Sequence, residues 1–484
     1  MKEKIVLIQE KLLKDLKVRA ITHNKELTNS NLGKEKKDKQ IKLKLDVLAL
    51  FVSLVNSIQC YYRDDSVENE GVVAMNATRM KKAYHDRYND YITFLLEHKF
   101  LEKVSGGSAK AHKSSKYRIS DNYYIDRVVG YKILDKKLLK KLSDNIYLDE
   151  IKEKKEFCEH KRPHLVKCFN ESFTINKGAA FKEIALLNNK DTYSAYLKGL
   201  HSTLDVNLNS HIYSIDPQTD NRLHTTLTRT PKFLRKYIYY DLENIVGLDV
   251  KTSQVYFFCA IFKAILINDV SLLDRINATK VLDEKLVFNL LNLVINNDEV
   301  KGFVSGVLDQ KEDFYEAFSK KIEIKYNKEG LPTRRESNYK SNHNRKKTIT
   351  EAYSIVPYKS ARALAKGAIM EIFYSSPETT ISEAVVFRKE YPSITKIMKC
   401  IKDYGVPLWR LLDYVEAYCL LDYAALKFAE KHPDIFITSI HDCLVTTKSN
   451  IELLREEIEQ YLMEVTTITV PPKFEVETWE EDIP

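Results

Sequence analysis

The sequence predicts an α+β fold, mostly helical, on three observations: helical spacing of apolar residues through most of the first 190 positions, strands alternating with helices beyond them, and a hairpin signal in each half. At 484 residues the chain exceeds one typical core, so two or three domains are expected. A hydrophobic fraction of 44% with 30% charged residues is that of a soluble globular protein. The net charge of +8 is too mild to name a partner. Its distribution says more. The first fifty residues hold 13 Lys/Arg against 7 Asp/Glu, and Pro332 to Thr348 contains Arg334, Arg335, Lys340, Arg345, Lys346 and Lys347. Such patches suit a phosphate backbone, whose counterions they release; solvated helix faces and flexible loops are the alternative. Seven scattered cysteines, with no leader peptide and no apolar run of spanning length, predict a cytoplasmic protein without disulfides and with no membrane partner.

Taken in order, Ile5, Ile8, Leu12, Leu13 and Leu16 predict a first helix, and Asn24 to Gln40 a polar, Lys-rich linker, so residues 1–44 read as a basic helical arm. Residues 45–125 read as a compact domain. Leu45 to Ile58 has the spacing of a buried helix, and Thr78 to Phe100 continues the helical pattern with Tyr84, Tyr88, Tyr91, Ile92, Leu95 and Leu96 on one face. Phe100 to Val104 and Tyr117 to Ser120 then alternate about a Gly-rich turn and a basic stretch that includes Lys113 and Lys116. Helices followed by a basic-tipped hairpin predict a winged-helix-like nucleic-acid-binding domain, with those lysines on phosphates; a small structural domain is the alternative. Residues 126–215 read as a helical connector. Within it Cys158, His160, His164 and Cys168 are residue types that ligate zinc, but on one helix they do not converge, and chance clustering is the favoured reading.

Chemistry concentrates in residues 216–484. Ile245 to Val250 is a short apolar run holding Asp249, and Ile435 to Val445 reads as a hairpin with His441 and Asp442 at its turn. An acid inside a sheet is costly unless paired or metal-bound. Carboxylates suit Mg²⁺, and two such ions stabilise the attacking and leaving oxygens of an in-line displacement. Taken singly, each Asp also reads as a turn or cap residue. Between them Arg362, Lys366, Met370 and Tyr374 recur every four residues along one helical face, a pattern suited to a triphosphate at its cations and a base or sugar at its end; a surface stripe on an amphipathic helix is the alternative.

The order of these elements, from about residue 220 to 448, resembles the family A DNA polymerases and their relatives, the phage-type single-subunit RNA polymerases. Asn221 to Thr225 with Pro231 to Tyr237 is similar to the segment before the family's first metal motif, Asp249 with Ser253 and Gln254 to that motif, Arg362, Lys366 and Tyr374 to the nucleotide-binding finger helix, and Ile440-His441-Asp442 to the second metal motif. Asp313 to Glu316 and Phe387 to Pro392 fall where family members carry comparable segments. A more particular likeness is to compact phage and mobile-element proteins in which a winged-helix-like region precedes a minimal polymerase body.

The resemblance implies a right-hand palm and fingers, with residues 126–215 a connector or a thumb-like region, and template-directed nucleotidyl transfer, most directly by a DNA-directed DNA polymerase. Asp249 and Asp442 would hold two Mg²⁺ ions, or Mn²⁺ in their place. Arg362 and Lys366 would grip the nucleoside triphosphate, Met370, Tyr374 and Gln254 would line its base and sugar pocket, and Arg222, His441 and Arg345 would contact the primer-template, DNA or RNA. Departures stand at Gln254 in place of a sugar-excluding Glu, at Met370, Ser375 and Cys443, and around Glu416, which lacks the family's Gln-containing signature. They leave open an RNA polymerase or primase-like enzyme and a catalytically inactive DNA-binding replication protein. Residues 1–200 show no ordered carboxylate set for a proofreading exonuclease.

Overall fold

The computed structural model describes residues 4–29, 41–61, 71–85, 87–107, 114–143, 146–269, 271–277, 284–308, 312–337, 353–376 and 378–479. Lys113 and Arg345 lie outside these residues, as does the 30–40 part of the expected linker. The fold is α+β and mostly helical, with five sheets among the described residues. No helix among them is long and apolar enough to cross a membrane.

The chain opens as a strand where a helix was expected. Ile5–Gln9 (β1) pairs antiparallel with Val128–Lys132 (β5), and the helix starts only at Glu10. Four consecutive apolar residues, three of them β-branched, fit a buried strand once a distant partner supplies the ladder, and that pairing overrides the local helical spacing. The helix Glu10–Asn29 takes in the first part of the expected linker. It is no free arm: Leu12, Leu16 and Ala20 share a core with Val47, Leu48 and Phe51 of helix Leu45–Tyr61.

After that helix come Val73–Met75 (β2), helices Ala77–Ala83 and Tyr88–Glu97, Leu101–Ser105 (β3) and Ser115–Ile119 (β4), with sheet order β2-β4-β3. The single helical pattern expected over Thr78 to Phe100 breaks in two. At the break the His85 Nδ1 accepts from the Arg87 backbone N–H at 3.0 Å, a local bond that competes with the helical ladder. The unit is fastened to the rest of the chain through buried polar groups. Gln9 Nε2 donates to Asn56 Oδ1 at 3.1 Å and to Tyr193 Oη at 3.2 Å, and the Val128 N–H donates to Tyr196 Oη at 3.0 Å.

Residues 126–215 are mostly helical, yet they also supply β5 to the N-terminal ribbon and Phe173–Ile175 (β6) to a central sheet. Tyr213–Ile215 (β7) pairs with Leu223–Thr225 (β8). The central sheet contains β6, Ile238–Tyr240 (β9), Glu243–Val250 (β10), Thr438–Ile440 (β14), Cys443–Thr447 (β15) and Phe474–Glu477 (β16), in the order β14-β15-β10-β9-β6 with β16 also on β10. Lys325–Tyr326 (β11), Pro332–Ser337 (β12) and Tyr353–Pro357 (β13) form a separate antiparallel sheet.

The two-residue period of β10 sorts its side chains. Val246, Leu248 and Val250 enter the largest core with Phe257, Phe258 and Phe262 of helix Ser253–Leu266. Ile245 lies in a second core with Cys443, Val445 and Trp479, so Gly247 and Asp249 fall on that second face. Gly247 is there for space: a Cβ would stand 2.5 Å from Cys443 Sγ and 3.1 Å from the Trp479 ring. Gly247→Ala is expected to destabilise the chain by about 1 to 3 kcal/mol through overpacking. Urea unfolding measures this, and an unchanged midpoint would contradict the packing described.

Candidate functional site

Strand pairing brings the two candidate acids together. Asp249, one residue from the end of β10, lies opposite Cys443 of β15, and Asp442 precedes Cys443 in the two-residue turn between β14 and β15. The carboxyl of Asp249 is pushed up to about 7, first by burial, then by the negative charge of Asp442 and of Glu477; the Lys366 ammonium partly counters this. On the other flank of β10, Glu475 lies opposite Asp249 and Glu477 opposite Gly247.

Both turns beside the acids are strained. Thr252, three residues after Asp249, has φ 60, and His441 has φ 56, left-handed values that cost most in a β-branched residue. Each turn is tied down. Thr252 Oγ1 donates to Asp313 Oδ2 at 3.0 Å, Ser253 Oγ donates to Asp442 Oδ2 at 3.3 Å, and the His441 ring meets His224 edge-on at 5.8 Å.

The expected helix runs from Ala361 to Tyr374, capped by the Ser360 hydroxyl, which accepts from the Ala363 N–H at 3.1 Å. Lys366 is exposed and close enough to Asp249 for its charge to favour the carboxylate. Tyr374 is 48% exposed at the far end, and its hydroxyl pKa is pushed up to about 12 by burial and by Asp413, with Arg222 opposing. Met370 is half-buried and packs on the core. Arg362 donates to Asp313 Oδ2 at 2.7 Å.

Three contacts hold this helix. Besides the Arg362 ion pair, the buried Arg334 of β12 binds Glu371 on the helix and Glu383 at 3.1 Å. At the C-terminal end Lys402 Nζ donates to the carbonyls of Ile372 at 3.1 Å and Ser375 at 2.6 Å, satisfying acceptors the helix leaves open.

Arg222 and Gln254 sit in a buried polar network that the sequence reading missed. Arg222 pairs with Glu416 and, at 3.1 Å, with Asp413; Gln254 Nε2 donates to Asp413 at 3.2 Å and to Glu416 at 3.3 Å. Burial works against the Arg222 charge, but Glu416, Asp413 and Asp442 outweigh it and hold the guanidinium protonated. Burial pushes Asp413 up to about 6 and Glu416 up to about 8, each countered by Arg222. Among the described residues Gln254 Oε1 and Arg222 Nε are buried without a hydrogen-bond partner. The available signal was Asp413 and Glu416, three apart on one face of a helix, Leu408–Glu416, whose other residues are apolar or aromatic save Arg410.

Lys116 lies half-buried on β4. Cys158, His164 and Cys168 are buried; His164 Nε2 pairs with the Leu421 carbonyl at 2.9 Å and Cys168 Sγ with the Leu165 carbonyl at 3.3 Å. Among the described residues no group of three or more His, Cys, Asp or Glu side chains is placed to hold a metal ion. Asp249 and Asp442 are a smaller set, and one that fits Mg²⁺: the ion takes few protein carboxylates, keeps waters and substrate phosphates as its other ligands, and a cation here would relieve the repulsion between the two acids. No protein-family model matches the chain, and no curated protein matches it.

The raised Asp249 carboxyl makes stability depend on pH. Between an unfolded value of about 4 and the folded value near 7, the folded chain keeps a proton that the unfolded chain releases. Stability therefore falls as pH rises across this window, and the deficit is complete above it. Asp249→Asn is expected to be more stable than the wild type by about 1 to 2 kcal/mol at pH 8, with the gain gone near pH 4. Denaturant unfolding at several pH values reads this; a gain independent of pH would contradict the electrostatic cause.

Proposed function

We propose that the chain is a template-directed nucleotidyl transferase of the family A polymerase type, acting as a DNA-directed DNA polymerase on a primer-template with nucleoside triphosphates. One observation carries the reading: the β10–β15 register sets Asp249 beside the turn that carries Asp442, and the helix bearing Lys366 and Tyr374 borders the same pair. In this reading the central sheet is the palm and the Ala361–Tyr374 helix belongs to the fingers.

Asp249 and Asp442 would hold Mg²⁺, or Mn²⁺, and the chemistry such ions supply when bound is a lowered pKa at the primer 3′-hydroxyl and neutralised charge on the triphosphate. The chain's own groups do the rest. Lys366, exposed beside the acids, meets phosphate oxygens, and Arg362 joins it one helical turn earlier. Tyr374 bounds the base and sugar at the other end of the helix. His441, exposed at the turn beside Asp442, faces the primer terminus. Arg222 acts differently from a free phosphate contact: held by Asp413 and Glu416, it fixes Gln254 and the floor under Tyr374.

The N-terminal unit supports a winged-helix-like reading through its order of helix, strand, two helices and two strands, in which the β3–β4 hairpin is the wing and Lys116 lies on it. Gln254, tied to two acids in the network below Tyr374, favours a second reading in which ribonucleotides are also accepted. Incorporation from mixed ribo- and deoxyribonucleotide pools separates the two.

Primer extension with Mg²⁺ tests the proposal. Asp249→Ala and Asp442→Ala should each reduce incorporation by about a thousandfold or more, as removal of a group central to transition-state charge stabilisation does. Full activity in either variant, or tight duplex binding by a wild type that incorporates nothing, would refute it.

A further inference from the structure

We propose that Asp313 determines the triphosphate affinity of the site by competing with phosphate for Arg362, an inference that rests on the reading of Arg362 as a phosphate ligand. Asp313 gathers four donors from three parts of the chain. It caps helix Phe314–Ser319 by accepting from the Tyr315 N–H at 2.9 Å and the Glu316 N–H at 3.2 Å. Its Oδ2 accepts from Thr252 Oγ1 at 3.0 Å and from Arg362 Nη2 at 2.7 Å. Thr252 follows the Asp249 strand, so this one carboxylate joins that strand's exit to the first turn of the Ala361–Tyr374 helix.

The geometry leaves the guanidinium open to a second anion. The Arg362 side chain is 34% exposed and its planar group lies 5.5 Å over the Tyr315 ring, while the Asp313 side chain is only 15% exposed. Of five N–H donors on a guanidinium, the bond to Asp313 Oδ2 uses one, on Nη2. Carboxylate and phosphate offer a guanidinium the same planar pair of acceptors, so a triphosphate reaching Arg362 from solvent competes with Asp313 for the same charge. If Arg362 turns toward phosphate, Asp313 keeps Thr252 and two backbone donors, so its carboxylate is not stranded. Capping and the Thr252 contact need only a hydrogen-bond acceptor. Among the described residues Arg362 is the one cation paired with Asp313, and that contact is the one that uses the negative charge.

Asp313→Asn therefore removes the competition and keeps the cap, since Asn caps helices as well as Asp. Calorimetric titration of the full chain with inorganic tripolyphosphate, at low salt and without divalent metal, reads the effect directly. Asp313→Asn, and Asp313→Ser as a second capping variant, should bind about threefold to tenfold more tightly than the wild type. Arg362→Met should cancel the gain in the double variant. In primer extension the nucleotide KM should fall in Asp313→Asn without a rise in kcat. Unchanged or weaker tripolyphosphate binding in both Asp313 variants, or a gain that survives Arg362→Met, would overturn the inference. Tighter binding in a chain that incorporates no nucleotide would support the competition while refuting the polymerase reading. Metal-dependent incorporation with tripolyphosphate affinity and KM both unmoved by Asp313→Asn would do the reverse.

Discussion

Two carboxyl groups held on neighbouring strand positions are the constraint on which the site is built. Antiparallel pairing of β10 with β15 fixes the backbone of Asp249 beside the turn that carries Asp442, and burial raises the cost of charging Asp249 in the presence of its neighbour. The surroundings keep that arrangement in place. Gly247 lets Cys443 and Trp479 close over the strand, while the left-handed Thr252 and His441 turn the chain sharply beside each acid. Strain of this kind persists where neighbouring contacts over-determine it, here the hydroxyl bonds from Thr252 and Ser253.

The helix facing the acids is held just as firmly, by Asp313 at its start, by Arg334 through Glu371 in its last turn and by Lys402 at its C-terminal carbonyls. Because Arg334 comes from β12, the sheet that contains Pro332–Ser337 is joined through a buried ion pair to the helix bearing Lys366 and Tyr374. Below them Arg222, Asp413, Glu416 and Gln254 form a polar floor whose charges depend on one another: removing Arg222 would leave two acids buried without a counter-charge.

Local patterns were legible in the sequence. The helix from Leu45, the helix carrying the Arg362 stripe, the apolar strand ending near Asp249 and the hairpin turning at Asp442 all follow from spacing within a dozen residues. What escaped was set by distant partners. Ile5–Gln9 became a strand because Val128–Lys132 lies alongside it, and the helix expected through Tyr84 broke at a His85 bond that periodicity does not register. The Arg222–Glu416 pair spans 194 residues, so nothing local marked Arg222 as a buried ion rather than a surface contact. Asp313 read as part of a motif; that it joins Thr252 to Arg362, 61 and 49 residues away, is visible only in three dimensions.

Binding of Mn²⁺ to the full chain, followed by electron paramagnetic resonance without nucleic acid or nucleotide, tests the pairing of the two acids most directly. If Asp249 and Asp442 share divalent ions, Asp249→Asn and Asp442→Asn should each abolish the same bound-ion signal, and the double variant should lose nothing further. Two independent partial losses that add, or binding untouched by either substitution, would contradict a shared site.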